Sequence, residues 1–289
     1  MAGREYPYLL AEILKLIYLN RKLNASYFHE GKSMIQRIGA QTIVWGEDIR
    51  DHMESILTFL SENGFQGVET GIRHFYLDRY QAYREIYEKT GLILLGIHSG
   101  GKFWDPDQAG DEMRKIEDTV SFASRVGSKY LLVSGNPNET VASMQAAAAT
   151  YNELGKRCLD AGIRFAYHNH NWELVNQGAI LNVLMNETSA ELVSLVLDTA
   201  WAYIAEMSVE TLIRHYGDRI AYLHIKDVKQ EKFCELGTGE IDHDGTITLA
   251  RSYGIEWLVV EQDYTSLTAE KSMKANMRYL RSKGIGENE

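Results

Sequence analysis

The chain has few cysteines and lacks any long apolar run. Only two cysteines occur in 289 residues, and Cys158 and Cys234 lie far apart and outside any CxxC pattern. This usage indicates reduced thiols in a cytoplasmic protein rather than a disulfide framework. The apolar N-terminal stretch, residues 9–19, is interrupted by Glu12 and Lys15. We therefore expect neither a signal peptide nor contact with a membrane.

Basic residues are scarce and scattered. Lysine and arginine number 30 against 40 acidic residues, which gives a formal net charge of −10. A nucleic-acid surface needs clustered basic side chains, so we expect no nucleic-acid partner. With 45% hydrophobic and 24% charged residues, the composition is that of a globular protein with a large core. Barrels of alternating strands and helices often reach this length as one unit, so we expect residues 1–289 to form a single domain.

A regular alternation of strands and helices begins after residue 36. Helical stripes end at a glycine, which tolerates the left-handed conformation just past a helix. Eight apolar segments between them are predicted as strands: Arg37–Trp45, Gly67–Thr70, Leu92–His98, Tyr130–Ser134, Arg164–His168, Leu192–Asp198, Ile220–Ile225 and Trp257–Glu261.

Eight strand–helix units predict an α/β fold with an all-parallel sheet, most simply closed into a (β/α)8 TIM barrel over residues 36–282. An open doubly wound sheet is the alternative. Such a sheet usually carries a glycine-rich phosphate loop after its first strand, and Val44-Trp45-Gly46 is no such loop. Residues 5–30 form one amphipathic pattern, which predicts an extra N-terminal helix that covers the barrel or contacts a second copy in a homo-oligomer.

The predicted strands end in polar residues. In a parallel barrel, chemistry gathers at the carboxyl ends of the strands. A barrel built for stability alone would not need polar side chains at these positions, and burying unpaired carboxylates there would be costly. The eight ends are Gln41, Glu69, His98, Ser134, His168, Asp198, His224 and Glu261.

Strands five to eight supply two imidazoles and two carboxylates, namely His168, Asp198, His224 and Glu261. Such a mixed nitrogen and oxygen set suits one divalent Mn, Zn, Co or Fe ion better than calcium. The alternative is a network of ion pairs among these groups and Lys226 or Lys229.

His170 follows His168 by two residues, so both should face the same side of an extended strand. His170 would lie roughly 6–7 Å further along the strand, too far to share the ligand position but suited to contact a substrate. Two hydrogen-bonded histidines beneath a loop are the alternative interpretation.

The motifs Val-Leu-Asp198-Thr, Leu-His224-Ile-Lys-Asp and Val-Val-Glu261, with Leu236–Asp242, resemble the xylose isomerase-like TIM barrel superfamily of sugar phosphate isomerases and epimerases. The stretch from Tyr167 to Glu173 resembles a subgroup with a YHNH motif at strand five. This resemblance covers roughly residues 36–282. It implies one divalent metal held by Asp198, His224, Glu261 and a strand-five ligand. Many members carry Glu where this chain has His168.

The resemblance favours a metal-dependent isomerase or epimerase of a small sugar, keto-sugar or cyclitol. The metal would acidify a C–H bond beside a carbonyl, and Glu261 or a strand-five histidine would move the proton through an enediolate. Family dehydratases that carry a second His place His170 in a catalytic position. A metal-dependent lyase or dehydratase acting on a keto-sugar or inosose is therefore the alternative. A non-catalytic sugar-binding barrel is a third, and intact metal ligands argue against it.

Six further residues are candidates for substrate contacts. Lys226 shares a strand face with His224 and would hold a substrate oxygen, unless it pairs with Asp198 or Glu261. Glu69 and His98 would line the pocket mouth, and Glu173 would bind substrate, hold His170 or cap a helix. Aromatic faces stack on sugar rings, which makes Trp104 and Trp201 candidates as well, although packing under loops is the alternative for them.

Overall fold

The structure is a computed structural model, and it describes residues 36–286. Eight strands form the barrel: β1 (Arg37–Gln41), β2 (Gly67–Gly71), β3 (Ile93–Ser99), β4 (Tyr130–Ser134), β5 (Arg164–His168), β6 (Val193–Asp198), β7 (Ile220–Ile225) and β10 (Trp257–Val260). They are all parallel and close in the order β1-β10-β7-β6-β5-β4-β3-β2, which confirms the predicted TIM barrel. Two short antiparallel strands, β8 (Asp227–Lys229) and β9 (Lys232–Cys234), form a hairpin after β7.

Helices occupy the connections between the strands. The helix Asp48–Glu62 shows the pattern, because its buried side chains recur at helical spacing along one face: Ile49, Met53, Ile56, Leu57 and Leu60. The other α-helices are Tyr80–Thr90, Ala109–Val126, Val141–Asp160, Val175–Glu187, Thr199–Ile204, Val209–Tyr216, His243–Ser252 and Ala269–Ser282. Their buried faces form the main hydrophobic core with the outward residues of the strands.

A second apolar layer fills the barrel interior. It contains Leu95, Leu132, Ala166, Val196, Tyr222, Trp257 and Val259, which come from six of the strands. Because side chains alternate along a strand, the residues two positions after Ala166, Val196, Tyr222 and Val259 also point inward, one layer higher. The polar residues at the carboxyl end of the barrel therefore lie directly above a packed apolar layer.

The first strand is shorter than predicted. We expected it to run from Arg37 to Trp45, but it ends at Gln41 and the chain continues as a 3-10 turn over Thr42–Trp45. The side chain of Gln41 accepts a hydrogen bond from Ile43 N at 2.5 Å and so starts the turn. An apolar run that looks like strand thus folds into a helical turn because a polar side chain caps it.

The amphipathic pattern at residues 5–30 lies outside the described residues. Between residues 36 and 286, no helix is both long and apolar enough to cross a membrane.

Candidate metal centre

Four buried side chains meet at the carboxyl end of the barrel. His168, Asp198, His224 and Glu261 each offer one ligand atom, and these atoms all lie within 4.8 Å of one another. Each follows a residue of the inner apolar layer by two positions, as His168 follows Ala166, so strand alternation turns all four inward. The four residues predicted as metal ligands are therefore neighbours in space.

The contacts of each side chain show which atoms face one another. Asp198 Oδ1 accepts a hydrogen bond from Trp201 N at 2.8 Å, and Asp198 Oδ2 faces His168 Nε2 at 3.7 Å. Glu261 Oε2 lies 3.5 Å from His168 Nε2 and 2.5 Å from His224 Nδ1. Two ring nitrogens and two carboxylate oxygens thus converge on one point.

A buried carboxylate orients His224 from behind. Glu69 Oε2 lies 2.7 Å from His224 Nε2 and accepts a hydrogen bond from the Tyr222 hydroxyl at 2.7 Å. Its other oxygen, Oε1, lies 3.2 Å from His98 Nδ1. We expected Glu69 to contact substrate, but it is fully buried with both oxygens engaged, and it fixes the ring of His224 instead. Carboxylates commonly hold metal-binding histidines in this way.

Lys226 is also fully buried, among carboxylates. Its Nζ lies 2.6 Å from Asp263 Oδ2, 3.3 Å from Asp198 Oδ2 and 3.6 Å from Glu261 Oε2. Burial alone would lower the pKa of Lys226, but the negative charges of these three residues outweigh burial and raise it. The ammonium is therefore charged and engaged with the protein.

The donor set fits a divalent cation. Within the described part of the chain, five buried atoms at this point have no hydrogen-bond partner: Nδ1 and Nε2 of His168, Asp198 Oδ2, His224 Nδ1 and Glu261 Oε2. Burial would lower the pKa of His224, yet the charges of Glu69 and Glu261 raise it to about 10. The surroundings thus favour positive charge where the unsatisfied atoms converge, and a metal ion supplies that charge while using their lone pairs.

A cavity of about 310 Å³ opens above the cluster. It reaches His168 and Glu261, and its other polar lining residues include His98, Ser134, His170 and Asp263. The ring of His170 lies 4.9 Å from that of His168 and stacks on Trp172 at 4.2 Å. Although β5 ends at His168, His170 stands beside the cluster and faces the cavity.

The other predicted contacts lie at varying distances from the cluster. His98 is half-buried in the cavity wall, with Nε2 at 2.8 Å from Ser134 Oγ. The ring of Trp201 lies 5.5 Å from that of His170 and 5.2 Å from Lys226 Nζ. Glu173 is buried beneath His170, and Trp104 packs against the hydrophobic core. His98 therefore lies in the cavity wall and Trp201 beside His170 and Lys226, whereas Glu173 is buried and Trp104 packs on the core.

Two acidic residues of this region were not predicted from the sequence. Asp263 lines the cavity and pairs with Lys226, and it follows Glu261 by two residues, a spacing that would have placed both on one side of an extended chain. Glu139 is buried in the loop after β4, where no periodic pattern marks it.

The fold and site define an α/β barrel with a candidate metal centre at its carboxyl end. The sequence model of the xylose isomerase-like TIM barrel family matches residues 57–283, and the chain belongs to this family. The family resemblance seen in the sequence is thus confirmed.

Individual relatives share the fold at modest identity. The inosose dehydratase of Geobacillus kaustophilus strain HTA426 is 26% identical over 218 residues, which cover 68% of this chain and 70% of that protein. The 3-keto-D-glucoside 4-epimerase of E. coli, in its apo form, has a TM-score of 0.72 at 16% identity, covering 86% of this chain and 99% of that one. The IOLI protein, solved with a bound zinc atom, has a TM-score of 0.71 at 16% identity, covering 86% and 98%.

Proposed function

We propose that this protein is a metal-dependent isomerase or epimerase of a small keto-sugar or cyclitol ketone. The observation that carries the proposal is the convergence of four unsatisfied ligand atoms, on four consecutive barrel strands, beneath a cavity. The names of the relatives support the substrate class, because inosose and 3-keto-D-glucosides are both ring ketones with C–H bonds beside the carbonyl.

His168, Asp198, His224 and Glu261 would hold one divalent ion, and their nitrogen and oxygen donors suit Zn, Mn, Co or Fe. The zinc of the IOLI protein supports a transition metal of this kind. When bound, such an ion acts as a Lewis acid that polarises a carbonyl oxygen and acidifies the neighbouring C–H bond.

The protein's own groups would then move the proton. Glu261 is the carboxylate of the cluster that also lines the cavity, so it is our candidate for the base that takes the proton from carbon. His170 stands beside it in the same wall and would exchange protons with a substrate oxygen. Lys226 would act through Glu261 and Asp198, because its ammonium is fully buried between them and would hold both carboxylates in place.

Dehydration is the second candidate, and two observations favour it. The relative at 26% identity is named an inosose dehydratase. The second observation is His168 at the end of β5. An epimerase with two carboxylate bases would need a carboxylate here, to act on the opposite face of the substrate carbon from Glu261. In this reaction Glu261 takes the proton from carbon and His170 donates a proton to the departing hydroxyl. A C=C bond forms and water leaves.

The two reactions are separated by proton NMR in deuterated water. The wild-type chain, loaded with Mn²⁺, Zn²⁺ or Co²⁺, is incubated with an inosose and with a 3-keto-D-glucoside. Deuterium at the carbon beside the carbonyl, without loss of water, identifies isomerisation or epimerisation. An unsaturated ketone that absorbs in the ultraviolet identifies dehydration. If the loaded chain exchanges no C–H proton of either ketone, the proposed chemistry is overturned.

A further inference from the structure

Three polar side chains form a buried chain behind the cavity wall. The Tyr167 hydroxyl lies 3.0 Å from Glu139 Oε2 and 2.8 Å from Glu173 Oε1. All three residues are buried, and Tyr167 and Glu173 are completely so. A side chain at Gly135, directly after β4, would collide with the tyrosine hydroxyl and with both carboxyl groups, so this glycine leaves the space that they fill.

The number of protons in this group follows from the geometry. A phenol has one O–H, and it can donate that proton to only one of the two carboxyl groups. The other carboxyl lies within hydrogen-bond distance of the same oxygen, so it must carry a proton itself and donate it to the phenol. Burial raises the pKa of both carboxyl groups, and the charge of Glu173 adds to it at Glu139, whose pKa reaches about 8, so we assign the proton to Glu139.

The free oxygens of the two carboxyl groups bind the loops that shape the site. Glu173 Oε2 accepts a hydrogen bond from His170 N at 2.8 Å, and Glu139 Oε1 accepts one from Asn136 N at 3.1 Å. The group therefore ties the loop after β4 to the loop after β5. His170, whose backbone it holds, is the residue of that second loop that lines the cavity.

We propose that Glu139, Tyr167 and Glu173 form a carboxylic acid–phenol–carboxylate bridge that positions His170 at the substrate. This role rests on the proposed function, since it assigns His170 a task in the same reaction. The three residues are positioning residues, because the distances given above join them to His170 and Asn136 through backbone N–H groups.

A purely stabilising role would not require these side chains. Burying two carboxyl groups and a phenol is costly, and apolar residues of similar volume often fill such a space without loss of stability. An apolar residue at Glu139 should therefore leave the barrel folded. It would remove both the proton donor to Tyr167 and the acceptor for Asn136 N.

The test compares Glu139→Leu with Glu139→Gln, and Glu153→Gln serves as a control at an exposed position that pairs with Arg157. Infrared spectroscopy at neutral pH should show the C=O stretch of a buried carboxylic acid in the wild type and in Glu153→Gln. Both Glu139 variants should lose this band. A band that persists in both variants would overturn the protonated bridge, whether or not any substrate turns over.

The positioning role has two further readouts. In Glu139→Leu, the imidazole ¹⁵N resonances of His170, assigned by comparison with His170→Ala, should shift while metal content stays at the wild-type level. The kcat of Glu139→Leu should fall by about 10- to 10²-fold with little change in KM, because small displacements of a catalytic group have effects of this size. Glu139→Gln preserves a neutral donor and acceptor, so it should restore most of the kcat lost in Glu139→Leu. Unshifted His170 resonances or an unchanged kcat in Glu139→Leu would overturn the positioning role.

If the wild type shows no activity on either ketone, the proposed function fails while the infrared and NMR results still decide the bridge. The two ideas can therefore fail separately.

Discussion

Replacing Glu69 with Gln should weaken metal binding, although Glu69 is not itself a proposed metal ligand. As a carboxylate, Glu69 only accepts hydrogen bonds, so His224 must carry its proton on Nε2, which lies 2.7 Å away. Its Nδ1 is then free to bind a metal at the cluster. Glutamine at residue 69 has the same shape, but its amide can donate to Nε2 and so favour the tautomer with the proton on Nδ1. That tautomer cannot act as a ligand.

The expected loss is about 10- to 100-fold in metal affinity, the usual effect of removing such a supporting group. This corresponds to about 1.4–2.7 kcal/mol. A competition titration of metal-free protein against a chelator, with Zn²⁺ or Mn²⁺ at fixed pH, measures it directly. Glu54→Gln is the matched control, because Glu54 is exposed and pairs with Lys89 at 2.6 Å on the protein surface. Equal affinity of Glu69→Gln and the wild type would refute the role given to Glu69.

Three other predictions test different parts of the structure. His168→Ala should lose both metal and turnover, whereas His170→Ala should keep its metal and lose ~10²–10⁴ in rate. Metal analysis of both variants checks this. If only His170→Ala lost its metal, the two roles would have to be exchanged. Lys226→Met leaves buried carboxylates without their cation, so chemical denaturation of the metal-free protein should show a loss of about 3–5 kcal/mol in unfolding free energy. The exposed Lys89→Met should cost at most about 1 kcal/mol, and equal effects of the two would contradict the buried network. Glu231 has a φ of 61° in the β8–β9 turn, so Glu231→Gly should raise stability by up to about 1 kcal/mol, and a lower Tm would argue against strain there.

The strands and their polar ends could be predicted because most strands are short apolar runs with a polar residue at, beside or directly after the carboxyl end. Seven of the eight predicted strands lie within a residue or so of their observed bounds at each end. The first strand was predicted too long, since Ile43 to Trp45 are apolar and only the side-chain cap from Gln41 turns them into a 3-10 turn. A local hydrogen bond of this kind leaves no periodic signal.

The roles of individual acids were harder to predict than their positions. Glu69 lies in the middle of β2 and Glu261 directly follows β10, yet Glu261 faces the cluster and Glu69 stands behind His224. Whether such an acid faces the cluster or lies behind one of its ligands depends on the register between strands. The register of β2 against β3 shifts between Val68 and Glu69. Register is a property of the closed barrel, so the sequence of one strand does not contain it. Glu139 is a more extreme case, because its burial depends on loops brought together from two connections.

The most direct test of the metal centre is the metal content of purified protein, measured for the wild type and for His224→Ala. We predict one divalent ion per chain in the wild type after loading and removal of excess metal. His224→Ala should stay folded and lose stoichiometric metal, because it removes one of four ligand atoms that lie within 4.8 Å of one another. Full metal occupancy in folded His224→Ala would contradict the assignment of this cluster as the metal site.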